Sequence, residues 1–379
     1  MFYLKELELK NFRCHDDYKA NLFNGINIIV GNNAVGKTSI LESIYFLGLC
    51  KSFKTSDDIT LIKQKQEFLY VKGVLIENNR EFEVFSSFTR ERGKKISVNG
   101  NVYKNLSDYY GFFNVVCFSP ADLKLIKGES RIKRKFLDVY IGQTDKKYLK
   151  NLSDYNKILK ERNELLKRSE EIADFDKLLN LYTEKMAAIG RDIITKRKKF
   201  INDLEPYINK EIKNISSDKE KIEIVYKTNS EENKIEEEMF KAINVDKVAK
   251  VSTIGPHRDD ISFLLNGQEA EIYGSQGQQR TIALSIKLGL ANYIKSNSER
   301  MILLLDDVFG ELDFKRQTEL LKAVDQGTQV LITTTEINNI NNEIINRSKI
   351  IKIEKKGDSN GWWRKKRSSR KRRICYFRN

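Results

Sequence analysis

The chain begins with alternation. Leu7 and Leu9 stand between charged residues with a period of two, the mark of a half-buried strand. Gly25 to Val30 is a short apolar run that ends in glycine at position 31, and Ile40, Leu41, Ile44 and Leu47 then recur at helical spacing between Ser39 and Leu49. The first 40 residues thus read strand, turn, strand, loop, helix. From Phe68 to Tyr103 several short runs rich in β-branched and aromatic residues follow, with Asn99-Gly100 marking a hairpin turn between two of them. This pattern predicts an antiparallel sheet flanking a nucleotide fold.

Near position 120 the texture changes. Pro120 and Asp122 suit a helix start, and Ile158, Leu165, Leu166, Leu178, Leu179, Leu181 and Ile189 recur at helical spacing in a background of Lys and Glu. The stretch of about 100 residues allows two antiparallel helices of at most about 70 Å each at about 1.5 Å per residue, so a long coiled-coil arm is excluded. Strand patterns return at Ile222–Tyr226 and Ile261–Leu265, the latter followed by Asn266-Gly267. A long helix runs from Ser275 to about Ile294, Met301–Leu305 reads as a buried parallel strand, 314–324 as a helix and Val330–Thr334 as a strand. The expected architecture is α/β. One core is built from residues 1–118 and 221–356, with a helical lobe at 119–220 inserted into it.

Composition refines this picture. The 379 residues are 40% hydrophobic and 32% charged, with a net charge of +15. The last 19 residues hold nine Lys or Arg and no acid. Residues 357–379 are therefore expected to be a basic tail without fixed structure, and the remaining body is only mildly basic. Such a balance suits a polyanion partner, because Lys and Arg release counterions from phosphates. No apolar run is long enough to span a membrane, and the mixed N-terminus does not resemble a secretory signal. Cys14, Cys50, Cys117 and Cys375 are scattered without a C-x-x-C pair, which suits reduced thiols in a cytoplasmic protein.

Three constellations carry chemistry. Gly31-Asn32-Asn33-Ala34-Val35-Gly36-Lys37-Thr38 matches G-x-x-x-x-G-K-[ST], lies between an apolar strand and a helix, and is followed by Ser39. Backbone N–H groups of such a loop cradle phosphates, Lys37 reaches the β- and γ-phosphates, and the Thr38 hydroxyl ligates Mg²⁺. The strand Met301–Leu305 ends in Asp306 and Asp307, carboxylates that are costly to bury unless a cation or hydrogen bonds offset them. Asp306 would hold Mg²⁺ and Asp307 would act as general base on the attacking water. The third is Gly274-Ser275-Gln276-Gly277-Gln278-Gln279-Arg280, which opens the long helix with Ser275 lying 26 residues before Met301. A helix N-terminus with a serine cap is a second phosphate-ready site. One nucleotide needs only one cradle, so this segment would close over the γ-phosphate held by a second copy of the chain.

A Walker A loop, then an S-x-G-Q signature, then a Walker B strand resembles the ABC-type ATPases. Within them the chain resembles the RecF family of the SMC-like group, through Asn11-Phe12-Arg13, Phe118-Ser119-Pro120, Gly255–Asp260, Leu304–Val308 and Glu311-Leu312-Asp313 besides the three motifs. The resemblance spans about residues 1–356. It implies that Arg13 touches nucleotide phosphate and that Asp313 reaches across a dimer interface. It also implies slow ATP hydrolysis, ATP-dependent homodimerisation, and binding to duplex DNA or single-strand/duplex junctions. RecO and RecR would be partners in loading RecA at single-strand gaps during recombinational repair, replication restart and SOS induction. Transporter ATPases carry a switch histidine where this chain has Thr333–Thr335, and many ABC proteins have Glu where it has Asp307. The alternatives are an ATPase subunit of a membrane transporter and a nucleotide-gated scaffold with little hydrolysis. Arg131, Lys133, Arg134, Lys135 and Arg197–Lys199 are candidate DNA-phosphate contacts. His257 is expected to fix a polar loop, and His15 to lie on the surface.

Overall fold

The computed structural model describes residues 1–168, 172–216, 220–309, 312, 317–318, 327–354 and 374–377. The expected helix at 314–324, Glu311, Asp313 and most of the basic tail lie outside the described residues. The chain divides into two compact units, Met1–Pro120 with Leu290–Asn379, and Ala121–Gly289.

The first unit holds two sheets. Strands β1 (Phe2–Phe12), β2 (His15–Asn21), β3 (Ile26–Val30), helix α1 (Lys37–Leu49), β4 (Phe68–Glu77), β5 (Arg80–Thr89), β6 (Gly93–Val98), β7 (Asn101–Val102), α2 (Leu106–Tyr109) and β8 (Asn114–Phe118) come from the N-terminal part. One sheet is antiparallel, in the order β2-β1-β4-β5-β6-β7. Its last turn is Asn99-Gly100, with both residues at positive φ, as a two-residue hairpin demands. β2 is a strand that the sequence pattern does not announce: only His15, Tyr18 and Ala20 of HDDYKAN turn inward, and their spacing is irregular.

The second sheet is parallel and takes strands from both ends of the chain. With β12 (Met301–Asp306), β13 (Gln329–Thr334), β14 (Ser348–Ile353) and β15 (Ile374–Phe377), its order is β15-β14-β3-β13-β12-β8. β3 and β12 are buried along their whole length, as strands covered on both faces must be. Gln329 joins the two sheets. Its side chain accepts a hydrogen bond from the Leu4 N–H and donates to the Leu4 carbonyl, both at 2.8 Å. β15 corrects the expectation of a wholly unstructured tail. Ile-Cys-Tyr-Phe is β-prone by composition, and it pairs in parallel with the exposed edge that β14 would otherwise leave.

The second unit contains α3 (Lys124–Lys127), α4 (Ser130–Thr144), α5 (Lys146–Lys167) and α6 (Phe175–Ser216). It continues through β9 (Ile222–Lys227), α7 (Ile235–Lys241), α8 (Ile243–Ala249), β10 (Asp260–Leu265), β11 (Gln268–Glu269) and α9 (Ala270–Tyr273). Helix α10 (Gln276–Asn297) crosses the unit boundary along its own length. The boundary expected at residue 220 therefore moves to 289. Polar bonds explain the shift: the Asn209 amide of α6 bonds both backbone groups of Ile222, at 2.8 and 2.9 Å, and Glu205 accepts from the Ile224 N–H at 2.9 Å. The small sheet β11-β10-β9 is thereby part of the helical unit. Pro206 sits inside α6, a 42-residue helix.

Among the described residues no helix is long and apolar enough to cross a membrane.

Candidate functional site

The phosphate loop lies where β3 gives way to α1. Gly36 caps α1 at φ 99°, a left-handed conformation that glycine tolerates best. A side chain there would also collide, since a Cβ would stand 2.5 Å from both Cys14 Sγ and His15 Nε2. Lys37 is buried, and its ammonium donates to the carbonyls of Gly31 at 2.9 Å and Asn32 at 3.0 Å. This folds the lysine along the inside of the loop formed by Gly31, Asn32, Asn33, Ala34, Val35 and Gly36.

The sheet order brings the second motif to this loop. β13 lies between β3 and β12, with Thr333 opposite Ile29 on one side and Asp306 on the other. The C-terminal ends of the three strands are level, and Thr38 Oγ1 donates to Asp306 Oδ1 at 2.7 Å. The Thr333 hydroxyl donates to the same Oδ1 at 2.9 Å, and the Asp307 N–H donates to Thr333 Oγ1 at 2.9 Å. Asp307 has φ 52°. Burial raises the Asp306 carboxyl above the usual carboxylate range, against the hydrogen bonds from Thr38 and Thr333, and the neighbouring Asp307 charge raises it further. A carboxylate disfavoured by its surroundings, one bond from a threonine hydroxyl, fits a divalent cation: Asp306 and Thr38 have the hard oxygen donors that Mg²⁺ takes.

Arg13 follows β1 at φ 54° and is a bidentate partner of Glu42 on α1, with Nε–Oε2 at 2.8 Å and Nη2–Oε1 at 2.6 Å. Its remaining fork donates to the Thr60 carbonyl at 2.9 Å. Glu42 also accepts from the Ser52 hydroxyl, and Ser52 Oγ in turn accepts from the N–H groups of Lys54 and Thr55 at 2.9 and 3.1 Å. Glu42, invisible in the motifs, thus anchors both Arg13 and the 52–55 turn to the phosphate-loop helix.

His15 is a correction: it is buried, not on the surface, with Nε2 3.1 Å from the Gly36 carbonyl oxygen. Cys14 beside it is exposed and lies 4.0 Å from Ser39 Oγ. Burial works to raise the Cys14 thiol pKa, yet hydrogen bonding to His15, the charge of that ring and the Ser39 contact leave it below the ordinary cysteine value. The signal that could have revealed this pair is its position directly after Arg13.

In the second unit, Ser275 Oγ accepts from the Gln278 N–H at 3.2 Å while Gln278 Oε1 accepts from the Ser275 N–H at 3.0 Å. This is a capping box, in which two side chains satisfy each other's backbone donors at a helix start. Gln276 and Gly277 occupy the first turn of α10 between them, and a Cβ built on Gly277 would meet, beyond its own chain neighbours and helix backbone and among the described residues, only Ser275 Oγ at 4.0 Å.

The basic residues of this unit divide sharply. Arg197 is buried, with Nη2 2.8 Å from Asp138 and Nη1 3.5 Å from Asp259. Lys133 is buried beside Glu271 at 3.3 Å, Arg134 donates to the Asp259 carbonyl at 2.6 Å, and Lys198 pairs with Glu232. All four are engaged within the unit, Arg197 and Lys133 fully buried and Arg134 and Lys198 partly so. Arg131, Lys135 and Lys199 are exposed. His257 bonds the Tyr155 hydroxyl at 2.8 Å through Nδ1 and the Ser252 carbonyl at 3.0 Å through Nε2, the loop-fixing role expected of it. Burial lowers its pKa to about 4.

The fold and this site together define an SMC-like ATPase of the ABC type. Residues 3–359 match the family model of the RecF/RecN/SMC N terminal domain. The DNA replication and repair protein RecF of Ligilactobacillus salivarius is 37% identical over 366 residues, covering 93% of this chain and 96% of that one. The RecF of Halalkalibacterium halodurans is 38% identical over 363 residues, covering 93% and 98%. A solved structure of the recombination mediator protein RecF with ATP, in the RecFOR pathway, is 36% identical with a TM-score of 0.83, covering 90% of this chain and 94% of that one. An SMC head bound to the winged-helix domain of ScpA, 14% identical with a TM-score of 0.51 over 89% of this chain and 93% of that one, shares the fold. The chain belongs to the RecF family.

Proposed function

We propose that this chain is an ATP-dependent DNA repair protein whose hydrolytic site is completed by a second copy. The observation that carries the reading is the 2.7 Å hydrogen bond from Thr38 to Asp306, which joins a phosphate loop to a Walker B carboxylate. Gly31 to Ser39 bind the phosphates through backbone N–H groups, and Lys37 turns from the loop carbonyls to the β- and γ-phosphates. Thr38 and Asp306 hold Mg²⁺, which offsets the negative charge of the phosphates. Asp307 accepts the proton of the attacking water as general base. Its side chain is one methylene shorter than the glutamate of many ABC proteins, which is consistent with slow turnover. Ser275 to Gln278 of the second copy, with Asp313, close over the γ-phosphate. The start of α10 supports this half of the reading, because a helix N-terminus attracts an anion and the capping box fixes Ser275 and Gln278 there.

ATP would thus join two chains, and the joined pair would hold duplex DNA or a single-strand/duplex junction until hydrolysis releases it. Arg131, Lys135 and Lys199 are the phosphate contacts of this reading on the helical unit. The similar RecF solved with ATP acts in the RecFOR pathway, which supports RecO and RecR as partners here, with RecA loading at gaps as the outcome.

Sedimentation of wild type and a Ser275→Arg variant, with and without ATP and DNA, tests the proposal. ATP-dependent dimers in the first and monomers in the second are expected. Dimers insensitive to ATP, or to the substitution, would overturn it. Lys37→Arg addresses the scaffold alternative: it should retain much of the ATP affinity but lose hydrolysis and function, whereas a scaffold would work normally with it.

A further inference from the structure

We infer that Thr333 is a positioning residue for ATP hydrolysis, its single hydroxyl setting Asp306 and Asp307 relative to each other. The inference rests on the proposed ATPase reading and deepens it. Thr333 is fully buried on β13, the strand that separates the phosphate-loop strand β3 from the Walker B strand β12. A hydroxyl has one proton and two lone pairs. Here the proton goes to Asp306 Oδ1 at 2.9 Å, a better acceptor than the Leu305 carbonyl at 3.5 Å, and a lone pair takes the Asp307 N–H at 2.9 Å.

Each of these bonds does separate work. The first holds the Asp306 carboxylate together with Thr38, so that Oδ1 is fixed by two hydroxyls from two different elements. The second is the constraint on Asp307, whose φ of 52° is the left-handed conformation that Asp and Asn adopt more readily than other non-glycine residues, and which a hydrogen bond at its N–H helps to hold. Asp307 has left the ladder of β12, which ends at Asp306, and its N–H is tied to the neighbouring strand through the Thr333 oxygen. The backbone direction at Asp307 decides where its carboxylate points, and a general base must stand within hydrogen-bond reach of its proton. Thr333 therefore links the cation ligand and the base without touching nucleotide. Thr334, its neighbour, turns its hydroxyl to the Glu336 carbonyl at 2.9 Å and takes no part.

Thr333→Val is nearly isosteric, keeps a β-branched residue in a buried strand, and removes only the hydroxyl. The full chain carrying Thr333→Val, Thr333→Ser and, separately, Asp307→Asn would be compared with wild type. The comparison covers steady-state hydrolysis, binding of a fluorescent ATP analogue without Mg²⁺, and thermal unfolding. The expected result for Thr333→Val is a fall in kcat of about 10- to 100-fold, with Mg²⁺-free nucleotide affinity and melting temperature near those of wild type. Thr333→Ser should recover most of the rate. Wild-type kcat in Thr333→Val, or a loss that Ser fails to rescue, or a loss matched by weaker Mg²⁺-free binding or unfolding, would each overturn the inference. If instead Asp307→Asn hydrolyses as wild type does, the underlying assignment of the base fails, and that failure is separate.

Discussion

Thr38 and Asp306 lie 268 positions apart in the chain, and their side chains meet at 2.7 Å. The contact is the point where the two ends of the sequence become one site. Asp306→Asn keeps the shape of the side chain and removes its charge. The expected outcome is a loss of hydrolysis of about 100-fold or more, since a neutral amide no longer holds Mg²⁺. Nucleotide affinity measured without Mg²⁺ should be nearly unchanged. Equal loss with and without the cation would show that Asp306 serves the loop's structure instead.

Cys14 gives a direct readout of loop occupancy. Its thiol is exposed, lies beside Gly36 and Ser39, and ionises more readily than an ordinary cysteine, whereas Cys50 and Cys117 are buried. Iodoacetamide should modify Cys14 faster than Cys50 or Cys117, and saturating ATP should slow that reaction several-fold. Peptide mass mapping separates it from Cys375. A rate unaffected by ATP would place the nucleotide away from this side of the loop.

Loop and site were unevenly legible in the sequence. The phosphate loop, the strand before it and the buried strand Met301–Leu305 follow from spacing and apolar runs alone, because each is a local pattern. β2 escaped because its inward positions are few and irregular. The boundary of the second unit escaped because Asn209 and Glu205 reach β9 through hydrogen bonds that leave no periodicity. Glu42 and Thr333 are hidden for the same reason, each a single polar residue in a regular element whose partners come from elsewhere in the chain. The basic clusters misled in the other direction: a run such as Arg197–Lys199 reads as surface charge, yet Arg197 is buried against Asp138 and Asp259. Part of the basic tail, likewise, forms β15.

His257 imposes a pH dependence. Its folded pKa is lowered from 6.5 to about 4 by burial, so the unfolded chain binds the extra proton first as pH falls. The native state is fully favoured by this residue above about pH 6.5. It loses up to about 3 kcal/mol between there and about pH 4, and nothing further below. Denaturant titrations of wild type and His257→Gln at pH 7, 5.5 and 4.5 should show the wild type losing more stability over that range. Parallel curves would mean that the ring titrates alike in both states.

Gly289 of α10 packs against the backbone of α6. A Cβ there would stand 2.6 Å from the Ile208 nitrogen and 2.7 Å from its Cα. Alanine improves helix propensity by about 1 kcal/mol, but a backbone overlap costs more, so Gly289→Ala should destabilise the chain by about 1–3 kcal/mol net. A rise in the unfolding midpoint would disprove the close approach.

The parallel sheet draws β3 from near the start of the chain and its neighbours β13 and β14 from beyond residue 328. During synthesis, then, the phosphate loop emerges from the ribosome long before the strands that support it. Residues 121–289 are contiguous in sequence and complete early, while Gly31 to Thr38 wait for β13 and β14. A product that stops before residue 301 has the loop but lacks Asp306 and the strands β12, β13 and β14 that complete its sheet.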